Sequence, residues 1–587
     1  MRSARSLFIA LSIAAAINAL LFTYWVALPI PRSDAWHFID TFVRKAVEGG
    51  LGPGDFFEQR WPGDHAQPIH RLVLLTHLRL ADLDFRLEAI IGIFAGLLAC
   101  SLLARVLAQN ARSVRQKTAA ASGMAGILAV GMSLNSIDLY TWSLVSMVWF
   151  SLLVAVLYWI FAALRLRPAL FLPAASLATF AMASVLDEVA IGVYAAAVGA
   201  LLVRDGPRHP GHALRFAAAG AVGMLAGRWL IDTLGSVEGA SAVKGDGIDG
   251  LIALVSGSGS WQVLVAPLSD SLVQQVHLER WLPSLVVPIQ LAIAGVLAVL
   301  HVLFWRRAFS RERRPGDAAI VIAVAMMFLF YASVAGIALS RAAEFGVAYF
   351  HQSRYVALYQ LNLLALVLLF GAAPRKDAES GGRSLFAWIA ALLLLQVGIS
   401  FSVWRDGHYL REYNTRIAEA MMAIGTDPDN PPQDCPPILT VCTKPQEVRV
   451  RTFAMLKQKQ LSLYSARFRR SNQLEDVVAQ ARLCQIRILG YGPKVIRAGE
   501  PFNPQPDGRN AFWFQVAPGA GELQVEFEGI RLPYARSGNI LSISEDARQA
   551  AAASAGRPLR FDLLCQGRKV DAFDVAVLSG VGAAQAP

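Results

Sequence analysis

The chain has 587 residues, 55% of them hydrophobic and 17% charged, with a formal net charge of +11. A mean hydropathy of +0.44 is too apolar for an ordinary soluble enzyme of this length and fits a multispanning membrane protein. The basic balance is a poor sign of nucleic-acid binding, because much of it lies in clusters in short loops between apolar runs, where it sets topology.

A helix needs roughly 20 apolar residues to cross about 30 Å of hydrocarbon, and about eleven runs fit. They are 7–30, 87–109, 118–135, 142–164, 169–185, 188–204, 212–235, 283–305, 317–340, 353–372 and 385–404. The first is too long for a signal-peptide core, and ALPIP lacks a small-x-small cleavage pattern.

The loop after the first run, 31–86, is long and rich in Asp, His, Arg and Trp. SDAWHFIDTFVRKAV reads as a helix starting at Ser33 or Asp34, both good N-caps. Trp36, Ile39, Val43 and Val47 share one face; His37, Asp40 and Arg44 share the other, led by Asp34. This predicts an interfacial helix, apolar toward lipid or neighbouring spans and polar toward an aqueous cleft. Asp34, held at a fixed depth, suits a general base; the plainer alternative is an N-cap on a solvated helix. Further on, Asp64, His65, His70 and Arg71 precede or open another apolar helix. His65, His70 and His77, spaced by five and seven, do not make a standard metal site, and no Cys/His spacing suggests zinc.

Asp187–Glu188 forms a tight turn or kink between two short runs. Acids at membrane depth are expensive and are functional candidates, an ion pair with an arginine being the alternative. Arg228 and Asp232, at i and i+4, read as a salt bridge. RAAEFGVAYFHQSRY places Arg341, Glu344, His351, Arg354 and Tyr355 beside a late span. Arginine grips phosphate bidentately, so Arg354 or Arg341 suits a lipid phosphate; snorkelling at the interface is the alternative.

With the N-terminus cytoplasmic, the basic clusters of alternate loops all fall inside. The loops 31–86, 136–141, 186–187, 236–282 and 341–352 then lie outside, as does everything after 404. Of five cysteines, four lie in that C-terminal part: Cys435, Cys442, Cys484 and Cys565. In an oxidising compartment they suggest disulfides 435–442 and 484–565, free buried thiols being the alternative. The Pro-rich stretch 427–437 reads as a linker, 446–482 as helical, and the chain from Cys484 as short alternating strands of a small antiparallel sandwich. One of Phe512 and Trp513 belongs in its core; either has the shape to stack on a sugar.

AGEPFNPQPDGRNAFWFQV resembles bacterial Ig/IPT-type sandwich modules, over about a hundred residues and for fold only. Asp34-Ala35-Trp36 after the first span, His70-Arg71 before the second and Ser353-Arg354-Tyr355 entering a late span resemble bacterial GT-C-fold integral-membrane glycosyltransferases. The resemblance covers the membrane part and rests on the order of short motifs. It implies an inverting transfer of sugar from a polyprenyl-phosphate carrier to an extracytoplasmic glycan or lipid acceptor. Asp34 would be the base, Arg354, Arg341, His351 and Tyr355 the lipid-phosphate site, and His37, Asp40, His70, Arg71, Asp187 and Glu188 the cleft. That family often carries paired acids here; Ala35 follows Asp34, which weakens the case for a bridging divalent metal.

The expected architecture is therefore mainly α: a membrane domain over 1–404, a linker and helical segment over 405–482, and a β-sandwich over 483–580. The expected location is the bacterial cytoplasmic membrane, with a periplasmic C-terminal domain. Besides membrane lipids, the expected partners are the lipid-linked sugar donor and the acceptor, with no nucleic acid. The alternatives are a lipid-linked glycan flippase, a ligase built on the loop 236–282, or a non-catalytic polysaccharide-assembly protein.

Overall fold

The computed structural model describes residues 2–27, 30–60, 65–109, 114–164, 168–205, 210–237, 252, 256–257, 260–310, 318–371, 381–431, 435–436, 438–466, 488–497, 501–503, 510–516, 523–527, 530–545, 558–565 and 568–578. The protein divides into two compact units, Met1–Ser465 and Ala466–Pro587.

The first unit is helical. Among the described residues eight helices are long and apolar enough to cross a membrane: Ala4–Val26, Phe85–Ala108, Ser143–Ala163, Gly211–Leu234, Pro283–Ala308, Ala318–Phe345, Ser353–Gly371 and Ala387–Gly407. The expected spans 118–135, 169–185 and 188–204 also form helices, Val114–Gly131, Pro168–Leu186 and Val189–Asp205, but these are shorter or less apolar. The last expected span does not stop at 404. It continues as one helix, Gly381–Thr426, absorbing the amphipathic run that follows it. At 1.5 Å per residue that helix is about 70 Å long, more than twice the hydrocarbon thickness.

The stretch expected as a separate linker and helical segment belongs, up to Ser465, to the membrane unit. Its helix Gln446–Gln458 lies on the first loop, where the Trp36 and Phe453 rings sit 5.6 Å apart. The remainder, 467–482, lies outside the described residues.

The loops expected on one side of the membrane meet at one end of the bundle. Arg32 Nη1 donates to the Thr141 carbonyl (2.9 Å), the Ala66 N–H to Asp187 (2.7 Å) and the Gln59 N–H to the Ser236 carbonyl (2.8 Å). Asn135 Nδ2 donates to the Asp270 carbonyl (2.7 Å), and Ser136 Oγ to the Ser353 carbonyl (2.7 Å). Loops separated by pairs of helices can share an end only if successive helices alternate in direction, as the Lys/Arg pattern requires.

The second unit is all β. Its strands are β1 (Ile488–Gly492), β2 (Val495–Arg497), β3 (Asn510–Val516), β4 (Leu523–Phe527), β5 (Ile530–Leu532), β6 (Ala535–Ser537), β7 (Ile540–Glu545), β8 (Leu559–Cys565) and β9 (Arg568–Leu578). They form two sheets, ordered β1-β3-β7-β6 and β2-β9-β8-β4-β5, antiparallel except where β2 runs parallel to β9. Inward-facing Phe512, Phe514, Leu541 and Ile543 of one sheet pack against Leu563, Phe561, Phe573 and Val575 of the other. Phe512 is thus the core residue of the pair, while the half-buried Trp513 ring covers Gly492, where any Cβ would fall about 3.0 Å or less from the indole. Cys435 and Cys442 are bonded. Cys565 is also disulfide-bonded, while Cys484 lies outside the described residues.

Candidate functional site

The segment carrying Asp34 is helical but not one regular helix. Ala35–Phe38 is α-helical, Ile39–Val43 widens to a π-helical turn, and Arg44–Glu48 resumes the α-helix. Asp34 sits at the N-cap, yet its side chain makes no cap hydrogen bond. It pairs instead with Arg60 (2.8 Å) and keeps 45% of its side-chain surface open. Its backbone is clamped from outside the loop. The Ser33 N–H donates to the Ile438 carbonyl (2.6 Å), and Thr440 Oγ1 donates to the Ser33 carbonyl (2.8 Å). Both clamping residues lie within the small loop that the Cys435–Cys442 bond closes.

Of the two surroundings expected for the apolar stripe, lipid or neighbouring spans, the structure gives it protein. Trp36 is 2% exposed, and Ile39 and Val43 are fully buried. Phe38 and Phe42, from other positions of the turn, are buried as well, because the π turn rotates the register and protein covers both faces. The stripe of outward residues lies on the next helix, Pro68–Ala81, where Leu72, Thr76 and Leu80 recur at i, i+4 and i+8 with Leu80 74% exposed.

The expected cleft residues divide into three groups. Asp40 is bound bidentately by Arg451 (2.8 Å to each oxygen), with Arg44 3.9 Å away. His37 is half-buried on the same turn. His70 and Arg71 lie inside the packing. His70 Nε2 is 3.0 Å from Glu88 Oε1, and His77 Nε2 is 2.8 Å from Glu88 Oε2, with all three side chains essentially inaccessible. Arg71 donates to the Phe56 carbonyl (3.1 Å) and lies over the Phe38 ring (5.3 Å). Glu88, which the sequence reading passed over, is the acid in the first turn of a helix capped by Asp84, whose Oδ1 accepts from the Arg86 N–H (3.0 Å).

The third group sits at the turn between Pro168–Leu186 and Val189–Asp205. Asp187, at φ +51°, accepts from the Ala66 N–H and from Arg228 Nη1 (2.5 Å). Burial raises its pKa; the Ala66 N–H and Arg228 oppose that rise. Arg228 therefore serves Asp187 as well as Asp232 (3.2 Å). Glu188 is half-exposed and 3.4 Å from His65. Asp64 lies outside the described residues.

The expected phosphate residues gather on the turn before Ser353–Gly371. Arg341 is exposed and belongs to a second π-helical turn, Ala338–Ala342. Arg354 donates to the Tyr349 hydroxyl, and its guanidinium lies over the Tyr349 (5.3 Å) and Tyr355 (5.2 Å) rings. His351 Nδ1 is 2.8 Å from Asp270 Oδ2. Asp138, a second acid not singled out from sequence, faces the charges of both Arg32 and Arg354. Desolvation raises its pKa and the two arginines oppose the rise. Arg32 is two residues from Asp34, so this charge chain links the first loop to the phosphate-type residues. Lone acids in the largely apolar stretches NSIDLYTW and APLSDSL were the available signals for Asp138 and Asp270.

Among the described residues no group of three or more His, Cys, Asp or Glu side chains is arranged to hold a metal ion. No family model matches the chain, and no curated protein or solved structure matches it either.

Proposed function

We propose that the protein is an inverting membrane glycosyltransferase that moves a sugar from a polyprenyl-phosphate carrier to a glycan or lipid acceptor outside the cytoplasmic membrane. The observation that carries this reading is the state of Asp34. It stays nearly half open while Asp40, Asp187 and Glu88 at the same end are enclosed by partners. A carboxylate held at a fixed depth beside arginines suits proton abstraction from an acceptor hydroxyl. The two π-helical turns at Asp40 and Arg341 support the reading, since such turns recur at functional sites.

In this reading Arg60 holds Asp34 in place, and Asp34 takes the proton as the acceptor oxygen attacks the anomeric carbon. Arg354 and the exposed Arg341 bind the departing phosphate and stabilise its charge. Asp40, His70 and Arg71 act as supports of the Asp34 helix. The protein would sit in the inner membrane with the loops 31–86, 136–141 and 341–352 outside, and by the Lys/Arg pattern of the sequence the chain after 404 would be periplasmic.

The test begins with the glycan composition of cells lacking the protein, which identifies the sugar and acceptor. Asp34→Asn membranes are then assayed for transfer from the matching polyprenyl-phosphate sugar. A loss of about 100-fold or more is expected for removal of a general base. Full transfer by Asp34→Asn would exclude Asp34 as the base. Movement of intact lipid-linked sugar with no new glycosidic bond would favour a flippase.

A further inference from the structure

The His351–Asp270 pair has features that phosphate binding by arginine does not require. Asp270 is fully buried in the helix Gln262–Leu272, and its Oδ2 lies 2.8 Å from His351 Nδ1. Ser269 Oγ is 3.3 Å from the other oxygen. A buried carboxylate at Nδ1 fixes that nitrogen as the donor and leaves Nε2 to exchange a proton. His351 Nε2 is itself shielded from solvent, with no hydrogen-bond partner among the described residues. An orphaned buried imidazole nitrogen is costly unless something else occupies it.

The surrounding backbone holds both members in register. Gln274 Nε2 donates to the His351 carbonyl (2.8 Å), Asn135 Oδ1 accepts from the Gln274 N–H (2.8 Å), and Asn135 Nδ2 donates to the Asp270 carbonyl. Two buried side-chain amides, Asn135 and Gln274, thus hold the Asp270 and His351 backbones. His351 closes the turn Val347–His351, and Arg354 opens the next helix, Ser353–Tyr359, across the extended residue Gln352.

We infer that Asp270 and His351 form a proton-transfer dyad whose Nε2 binds and protonates a lipid-linked phosphate. His351 is the catalytic group and Asp270 the positioning residue. This rests on the proposed glycosyl transfer and deepens it. As the acceptor oxygen bonds to the anomeric carbon, the bond from that carbon to the phosphate oxygen breaks and its electron pair stays on the phosphate. The acceptor proton goes to Asp34, while His351 imidazolium gives its Nε2 proton to the departing oxygen. The lipid phosphate leaves as a singly protonated monoester; Asp34 later releases its proton and His351 regains one from water, so charge and protons balance. The ionisable groups around His351 are Asp270, Tyr359, Tyr355 and Arg354 from the packed helices, Tyr349 on its own turn, Arg341 and Glu344 on the preceding one, and Asp138 facing Arg354.

The test uses the full-length protein in detergent with citronellyl phosphate, a short lipid phosphate monoester, as the probe. Its binding is followed by calorimetry between about pH 6.5 and 8, above the second pKa of a phosphate monoester at about 6 and within the range in which histidine changes charge. Wild type is expected to bind more tightly as pH falls, and His351→Gln to lose that pH dependence. Asp270→Asn should retain binding but shift its pH profile, which a purely structural role would not do. In transfer assays His351→Gln should lose about 100-fold with a phosphate-linked donor. It should lose much less with a pyrophosphate-linked donor, whose leaving group needs no proton. Wild-type binding that is flat with pH, or an equal defect with both donors, overturns the dyad. If wild type binds the probe through His351 yet transfers no sugar, the glycosyltransferase reading fails and the phosphate site stands. If transfer occurs and His351→Gln matches wild type, the dyad fails alone.

Discussion

Replacing Glu88 tests whether the end of the bundle that carries Asp34 is held by a buried charge. Glu88 has no exposed side-chain surface and is flanked by His70 Nε2 at 3.0 Å and His77 Nε2 at 2.8 Å. The Phe38 ring, four residues from Asp34, packs edge-on against His70 at 4.7 Å. Glu88→Ala leaves the enclosed His70 without its hydrogen-bond partner and His77 without its neighbouring carboxylate, and opens a cavity. Removing one partner of a buried charged cluster costs about 3–5 kcal/mol. Glu88→Gln keeps the shape and still offers one acceptor and one donor, so it should cost only about 1–2 kcal/mol, near the value of a neutral hydrogen bond. Reversible unfolding of the detergent-solubilised protein by SDS titration, followed by tryptophan fluorescence, separates the two variants. Equal losses for Ala and Gln, or a loss below about 1 kcal/mol for Glu88→Ala, would refute the argument that this cluster is a paired and structurally necessary charge.

Removing the Cys435–Cys442 bond by Cys→Ser at both positions should destabilise the protein by about 2.5 kcal/mol from loop closure over this short separation; hydrogen exchange should show the Ser33 amide losing protection. The Asp40–Arg451 pair is half exposed on the arginine side, so a double-mutant cycle to Ala should give a coupling of about 1 kcal/mol or less. Asp187 has a folded-state pKa raised above the ordinary value, so the folded state binds more protons than the unfolded one between those two values. The stability of wild type relative to Asp187→Asn should therefore fall as pH rises through that window above about pH 4. A difference between the two that grows through the same window would contradict the upward shift.

Much of the membrane unit was legible because lipid imposes a one-dimensional code. Apolar length and the position of lysines and arginines are local properties of the chain, and every expected run became a helix. The code gave no reason to stop the last helix at 404, since leaving hydrocarbon does not end a helix when the following run is a good helix former, as REYNTRIAEAMMAI is. The β alternation was legible for the same local reason, and the parallel β2–β9 pair was not, because strand neighbours depend on the whole topology.

The site was legible as a list and not as an arrangement. Periodicity at 3.6 residues assumes a regular helix, and the π turn at Ile39–Val43 broke that assumption at the segment that mattered. Spacing leaves Trp36 a choice of lipid or neighbouring spans; its partner, Phe453, stands more than 400 residues later. Arg451 claims Asp40 from the same distant helix. Partners so far apart leave no trace in local spacing. Glu88, Asp138 and Asp270 share a different history: each is a single acid in or beside an apolar stretch, without a neighbouring motif to draw the eye. Each nevertheless has a cationic or imidazole partner in the fold, His70 and His77, Arg32 and Arg354, and His351. A lone acid next to hydrocarbon costs so much that its persistence already implies a partner. Taken as a rule, that cost picks out His351–Asp270 where motif order alone would have stopped at Arg354.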